Sequence, residues 1–117
     1  MVKFSREEVD REIGKIVEKF SILECDKCAR AVITWLDENG IEGKLLKLRT
    51  RNPREFYIVS DRLNPEQSIT NNGVHYGVEV EGRVFDNLST SGMSRLNWIN
   101  DFHCPSEQFI IEELEEL

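Results

Sequence analysis

No apolar run in this sequence is long enough to span a bilayer, and Met1-Val2-Lys3-Phe4-Ser5-Arg6-Glu7-Glu8 becomes charged before a signal-peptide core can form. A soluble, cytoplasmic chain is therefore expected, with no membrane association and, if it is exported, no built-in secretory signal. Cysteine is scarce: three, an odd number, argue against a disulfide scaffold and for a reducing compartment or a functional thiol. Positive charge is also short, with 15 Lys and Arg against 22 Asp and Glu, and the resulting net charge of −7 argues against a nucleic-acid partner. Repeats, linkers and low-complexity tracts are missing, so residues 1–117 read as a single domain with one modest core.

Ser5-Arg6-Glu7-Glu8 is a capping box, and Val9, Ile13, Ile16, Val17 and Phe20 follow at helical spacing, which predicts a helix from Ser5 to about Lys19, weakened slightly by Gly14. A second helix is predicted from about Cys25 to Glu38, with Ala29, Val32, Ile33 and Leu36 on one stripe and Asn39-Gly40 as its stop. Residues 44–49 and 55–60 read as strands separated by Asn52-Pro53, and Asp61 to Ser68 as a loop. Ser94 to Phe102 reads as a short helix, and Ser106 to Leu117, an acidic tail, is taken as helix. The fold class is α+β: N-terminal helices packed on a small antiparallel sheet of about four strands.

The richest segment runs from Asn72 to Asn87, where alternating apolar residues flank Glu81-Gly82 as in a β-hairpin. With Glu81-Gly82 as the turn, Val80 pairs with Arg83, Val78 with Phe85 and Gly77 with Asp86. His75, Gly77, Glu79, Val84 and Asp86 then share one face, and His75 and Asp86 become diagonal neighbours about 7–8 Å apart at the backbone. Gly77, lacking a side chain, leaves room for the imidazole to lean toward the carboxylate. A carboxylate so placed can fix the histidine tautomer and stabilise an imidazolium. Cys25 opens the second helix, where unpaired N–H groups and the dipole favour thiolate and can hold an oxyanion. On a helical wheel Cys25 lies near the middle of the apolar stripe, facing the sheet, with Cys28 at its edge.

The segment Cys25-Asp26-Lys27-Cys28-Ala29, followed by Asn39-Gly40-Ile41-Glu42-Gly43, Gly73-Val74-His75 and Val84-Phe85-Asp86-Asn87, resembles the papain fold toxin 2 family from about Phe20 onward. The resemblance implies a papain-like or transglutaminase-like cysteine enzyme with Cys25, His75 and Asp86 as its catalytic set. The spacing from Cys25 to Ala29 and to Gly40-Ile41 is similar to that of transglutaminase-like enzymes, whereas a papain-style reading of Cys-x-x-Cys-x-Ala makes Cys28 the nucleophile. The implied activity is that of a peptidase, deamidase or acyl transferase acting on a protein or peptide, without cofactor or metal, and an immunity protein is the implied partner. Lys19 to Glu24 holds no glutamine for an oxyanion hole, and Glu24 and Asp26 flank Cys25 with like charge.

Other chemistries fit parts of the pattern. Cys25-x-x-Cys28 with His103-Cys104 offers zinc ligands, although the usual second spaced pair is missing. The same Cys-x-x-Cys at a helix start resembles a redox dithiol, which would need a βαβ context. A binding domain with an inactive site would use the cysteines as small buried hydrophobes. Trp35, Trp98, Phe102 and Phe109 are expected in the core, and Glu112-Glu113-Leu114-Glu115-Glu116 on a solvated face.

Overall fold

Residues 4–117 are described by a computed structural model. Helix α1 (Arg6–Val17) starts where Ser5 Oγ accepts from Glu8 N and Glu8 Oε1 accepts from Ser5 N, both at 3.1 Å. It buries Val9, Ile13 and Val17. Its Gly14 is a close-approach residue: a Cβ there would stand 2.9 Å from the carbonyl oxygen of Thr90. Helix α2 (Cys25–Glu38) ends at Asn39, and Gly40 follows with φ 65°, so that Ile41 N–H reaches Leu36 O at 2.9 Å and Gly40 N–H reaches Asp37 O at 3.3 Å.

Strand β1 (Lys44–Thr50) follows α2. It leads to β2 (Val59–Ser60), β3 (Val74–Val80), β4 (Arg83–Asp86), β5 (Ser89–Ser94), helix α3 (Arg95–Asn100), β6 (Phe102–His103) and β7 (Phe109–Leu114). Five strands form an antiparallel sheet in the order β5-β4-β3-β1-β7, and β2 pairs with β6 in a second small sheet. The β3–β4 hairpin has the register its alternation predicts at Val80↔Arg83 and Val78↔Phe85. Glu81 (φ 49°) and Gly82 (φ 80°) form a turn with both central residues left-handed, which matches the twist of the flanking strands.

Three expectations are corrected, all in the sheets, which are larger than the four strands anticipated. The acidic tail is not a helix but strand β7, because its Phe109, Ile110 and Ile111 are β-formers and its Glu112 and Glu113 lie opposite the basic strand β1. Arg49 Nε donates to Glu112 Oε1 at 3.0 Å, and the acidic side chains remain on a solvated face of the strand pair. Ser89–Ser94, which has no apolar alternation, is drawn into the sheet by pairing with β4. Of the expected strand at 55–60 only Val59 and Ser60 are extended in a ladder; Phe56 and Tyr57 are more than half exposed in a loop.

The five-stranded sheet has a core on each face. Val9, Ile13, Val32, Leu36, Val78 and Phe85 pack between the helices α1 and α2 and one face. Leu46, Leu48, Ile58, Ile69, Trp98 and Phe102 pack on the other. The alternation of β3 sends Tyr76, Val78 and Val80 toward the first core and His75 and Gly77 toward the second.

Candidate active site

The imidazole of His75 is fully buried, its centroid 5.0 Å from the Phe102 ring and 6.0 Å from the Trp98 ring. A polar ring in such surroundings needs a partner, and Asp86 at the end of β4 supplies one: His75 Nε2 and Asp86 Oδ2 are 3.0 Å apart. Asp86 is itself buried and carries a full set of donors. Trp98 Nε1 donates to Oδ2 at 2.9 Å, Leu88 N to Oδ1 at 3.0 Å, and the two terminal nitrogens of Arg62 donate to Oδ1 and Oδ2 at 2.8 Å each. Burial would raise the Asp86 pKa, but His75 and Arg62 outweigh it and hold the carboxylate well below the usual range.

Gly77 has a different role from the one its place opposite Asp86 suggests. A Cβ on it would meet Trp98 Cζ2 at 2.8 Å and Val84 Cγ1 at 2.9 Å, so the missing side chain admits the indole rather than the imidazole. Trp98 belongs to α3, whose start is capped by Ser94 Oγ accepting from Asn97 N at 3.2 Å.

Cys25 is the first residue of α2 and is almost buried, at 7% exposure. It lines a cleft of about 290 Å³ with Leu23, Asp26, Thr70, Asn72 and Tyr76. No side chain caps this helix start: the Glu24 carboxylate turns back to accept from Ser21 N at 2.9 Å and Ser21 Oγ at 2.8 Å. The first-turn N–H groups of α2 thus receive no side-chain acceptor from the cap residue. Asn87, next to Asp86, ties this turn to the hairpin through Nδ2 to Ser21 O at 2.8 Å.

Burial alone would lower the pKa of His75. The hydrogen bond to Asp86 and the neighbouring Cys25 sulfur outweigh it and raise the imidazole to about 9. Its Nδ1 is buried and has no hydrogen-bond partner of ordinary geometry. Cys28 is different in kind: it lies in the helix-side core at 1% exposure, and burial, followed by the charges of Asp86 and Cys25, pushes its thiol up to about 12. His103 and Cys104 sit elsewhere, on and just after β6. His103 bonds Glu107 at 2.9 Å and Asp61 at 3.0 Å, and Cys104 Sγ stands 3.7 Å from Ser106 Oγ and Gln108 O. Among the described residues no group of three or more His, Cys, Asp or Glu is arranged to hold a metal ion.

The sequence profile described as papain fold toxin 2 matches residues 8–103, most of the chain. The chain belongs to that family. No curated protein and no solved structure matches it. As a papain fold toxin 2 domain it carries Cys25, Cys28, His75 and Asp86 within the matched stretch, while β7 lies beyond it. Among the described residues no helix of this papain fold toxin 2 domain is long and apolar enough to cross a membrane. Arg62 also falls inside the match and went unnoticed in the sequence, because a lone arginine in a loop has no periodicity to mark it. The one available signal was indirect: a buried aspartate needs more donors than a single imidazole.

Proposed function

We propose that this domain is a papain-like cysteine enzyme in which Cys25 is the nucleophile, His75 the general base and acid, and Asp86 the group that orients the histidine. The observation that carries the reading is the state of His75: one ring nitrogen is committed to Asp86, the other has no partner, and the Cys25 sulfur adjoins the ring. With its proton held on the imidazole, the Cys25 sulfur attacks an amide carbonyl of a protein or peptide as a thiolate. The first-turn N–H groups of α2 receive the developing oxyanion in place of a glutamine side chain. The imidazolium then gives its proton to the departing nitrogen, leaving a thioester. Water completes hydrolysis or deamidation; an amine completes acyl transfer. No cofactor is needed for these steps. As a toxin domain its partners would be a target protein and an immunity protein.

Cys25 is favoured over Cys28 because it lines the cleft, whereas Cys28 is sealed in the core and held as a thiol, which also makes it a poor resolving partner for redox exchange. The test is alkylation by iodoacetamide at pH 6 with mass mapping. Cys25 should label first, and His75→Ala should slow it by about 10²-fold or more. Faster labelling of Cys28 would reverse the assignment, and equal, slow labelling of all three cysteines would make this an inactive binding domain.

A further inference from the structure

The nucleophile and base account for Cys25 and His75 but leave open why Asp86 is met by an arginine. Arg62 comes from the loop after β2 and is itself fixed on several sides. Its Nε donates to Asp101 Oδ2 at 2.9 Å and its Nη1 to Ser89 Oγ at 2.9 Å, and its Cζ stands 5.6 Å from the Phe102 ring centroid. Asp101 is in turn held by the Ser60 hydroxyl. The guanidinium thus reaches Asp86 as a planar fork whose orientation is set by β2, β5 and the residue that ends α3.

We propose that Arg62 is a positioning residue for the Cys25–His75 pair, clamping both oxygens of Asp86 so that the carboxylate presents one fixed lone pair, and only part of its charge, to the imidazole. This deepens the cysteine-enzyme reading and rests on it. The charged or ionisable groups facing His75 are Asp86 from β4 and Cys25 from α2, with Arg62 and then Asp101 behind the carboxylate; α3 and β6 contribute the uncharged Trp98 and Phe102. A buried carboxylate paired with histidine alone would bind the imidazolium proton so firmly that its transfer to a leaving nitrogen is impeded. The opposing charge of Arg62 offsets that pull, and the fork prevents the carboxylate from rotating away.

Two substitutions separate charge from geometry. Arg62→Gln removes both and should raise the His75 pKa, read from its imidazole C–H resonance during a pH titration, by about one unit. Arg62→Lys keeps the charge, so the His75 pKa should stay near the wild-type value. A single ammonium cannot hold both oxygens, however, and Cys25 alkylation at pH 6 should slow roughly tenfold, the equivalent of one charge-assisted hydrogen bond. Folded variants with wild-type pKa and labelling rate would overturn the proposal. So would a freely rotating Arg62 guanidinium in the nitrogen spectrum of the wild type, a measurement that needs no variant to fold. If wild-type Cys25 instead labels no faster than Cys104, the enzyme reading fails, while the pKa shift in Arg62→Gln still reports whether Arg62 governs the histidine.

Discussion

At the residue scale, His75 and Asp86 make the stability of this domain depend on pH in two separate windows. The folded pKa of His75 is raised from 6.5 to about 9, so its contribution is fully present below about pH 6.5 and is lost as pH rises toward 9. The folded pKa of Asp86 is depressed, so its contribution is fully present above its ordinary value of 3.8 and is lost progressively as pH falls below it. Denaturant unfolding should therefore show the wild type losing stability between pH 6.5 and 9, a loss missing from His75→Gln; the same decline in both would assign it to other groups. Cys28 makes a second residue-scale case. Cys28→Ala should cost about 1 kcal/mol for the lost sulfur and leave Cys25 labelling unchanged, whereas Cys28→Ser should cost about 1–3 kcal/mol for a buried hydroxyl. Zinc release or loss of a reversible dithiol couple in Cys28→Ser would favour the metal or redox reading instead.

At the scale of elements, the site is an agreement among three pieces that do not touch in sequence. The hairpin β3–β4 presents His75 and Asp86 on one face, α3 delivers the Trp98 indole to the same carboxylate, and the turn before α2 sets Cys25. Gly77 is the hinge of this agreement. Gly77→Ala adds only a methyl group, but that methyl must displace Trp98 and Val84, so about 1–3 kcal/mol of destabilisation is expected. Cys25 labelling should fall as well, since a displaced indole releases Asp86. Thermal unfolding and alkylation on the same sample would check both, and a loss of stability with an unchanged labelling rate would mean that Trp98 only packs. Leu23, with φ 77° and half its surface exposed, stores strain two residues before Cys25, where the chain must bend sharply to begin α2.

At the scale of the whole molecule, β7 joins the far end of the chain to its middle. It covers one edge of β1 with a register running from Leu45↔Leu114 to Thr50↔Phe109, and Ile111 adds to the core on the site's side of the sheet. The ion pairs between the strands are exposed, so Glu112→Gln should change stability by less than about 1 kcal/mol. Ending the chain at residue 103, where the family match stops, should have a much larger effect. It strips β1 of one of its two ladder partners and opens an edge beside the buried Leu46 and Leu48. Loss of the cooperative unfolding transition, or aggregation, is the expected result; a truncated chain that unfolds cooperatively with wild-type stability would show β7 to be dispensable.

Local rules were sufficient wherever the information was local. The capping box at Ser5, the α2 boundaries, the Glu81-Gly82 turn and the hairpin register follow from side-chain periodicity and turn chemistry within about ten residues, and they place His75 and Asp86 on one face before any tertiary contact is considered. What the neighbours decided could not be read in this way. Ser89–Ser94 has little strand propensity of its own and is extended because β4 offers it a ladder; the tail becomes a strand because β1 presents basic residues and an open edge; Phe56 and Tyr57, β-formers both, find no such partner. The donors that complete Asp86 arrive from positions 62 and 98, and the helical wheel's placing of the cysteines is reversed: Cys28, expected at the edge of the stripe, lies in the core, while Cys25, expected at its middle, lines the cleft. Periodicity can show which face a side chain takes, but the partners of a buried charge come from wherever the fold closes around it, and only tertiary structure specifies that.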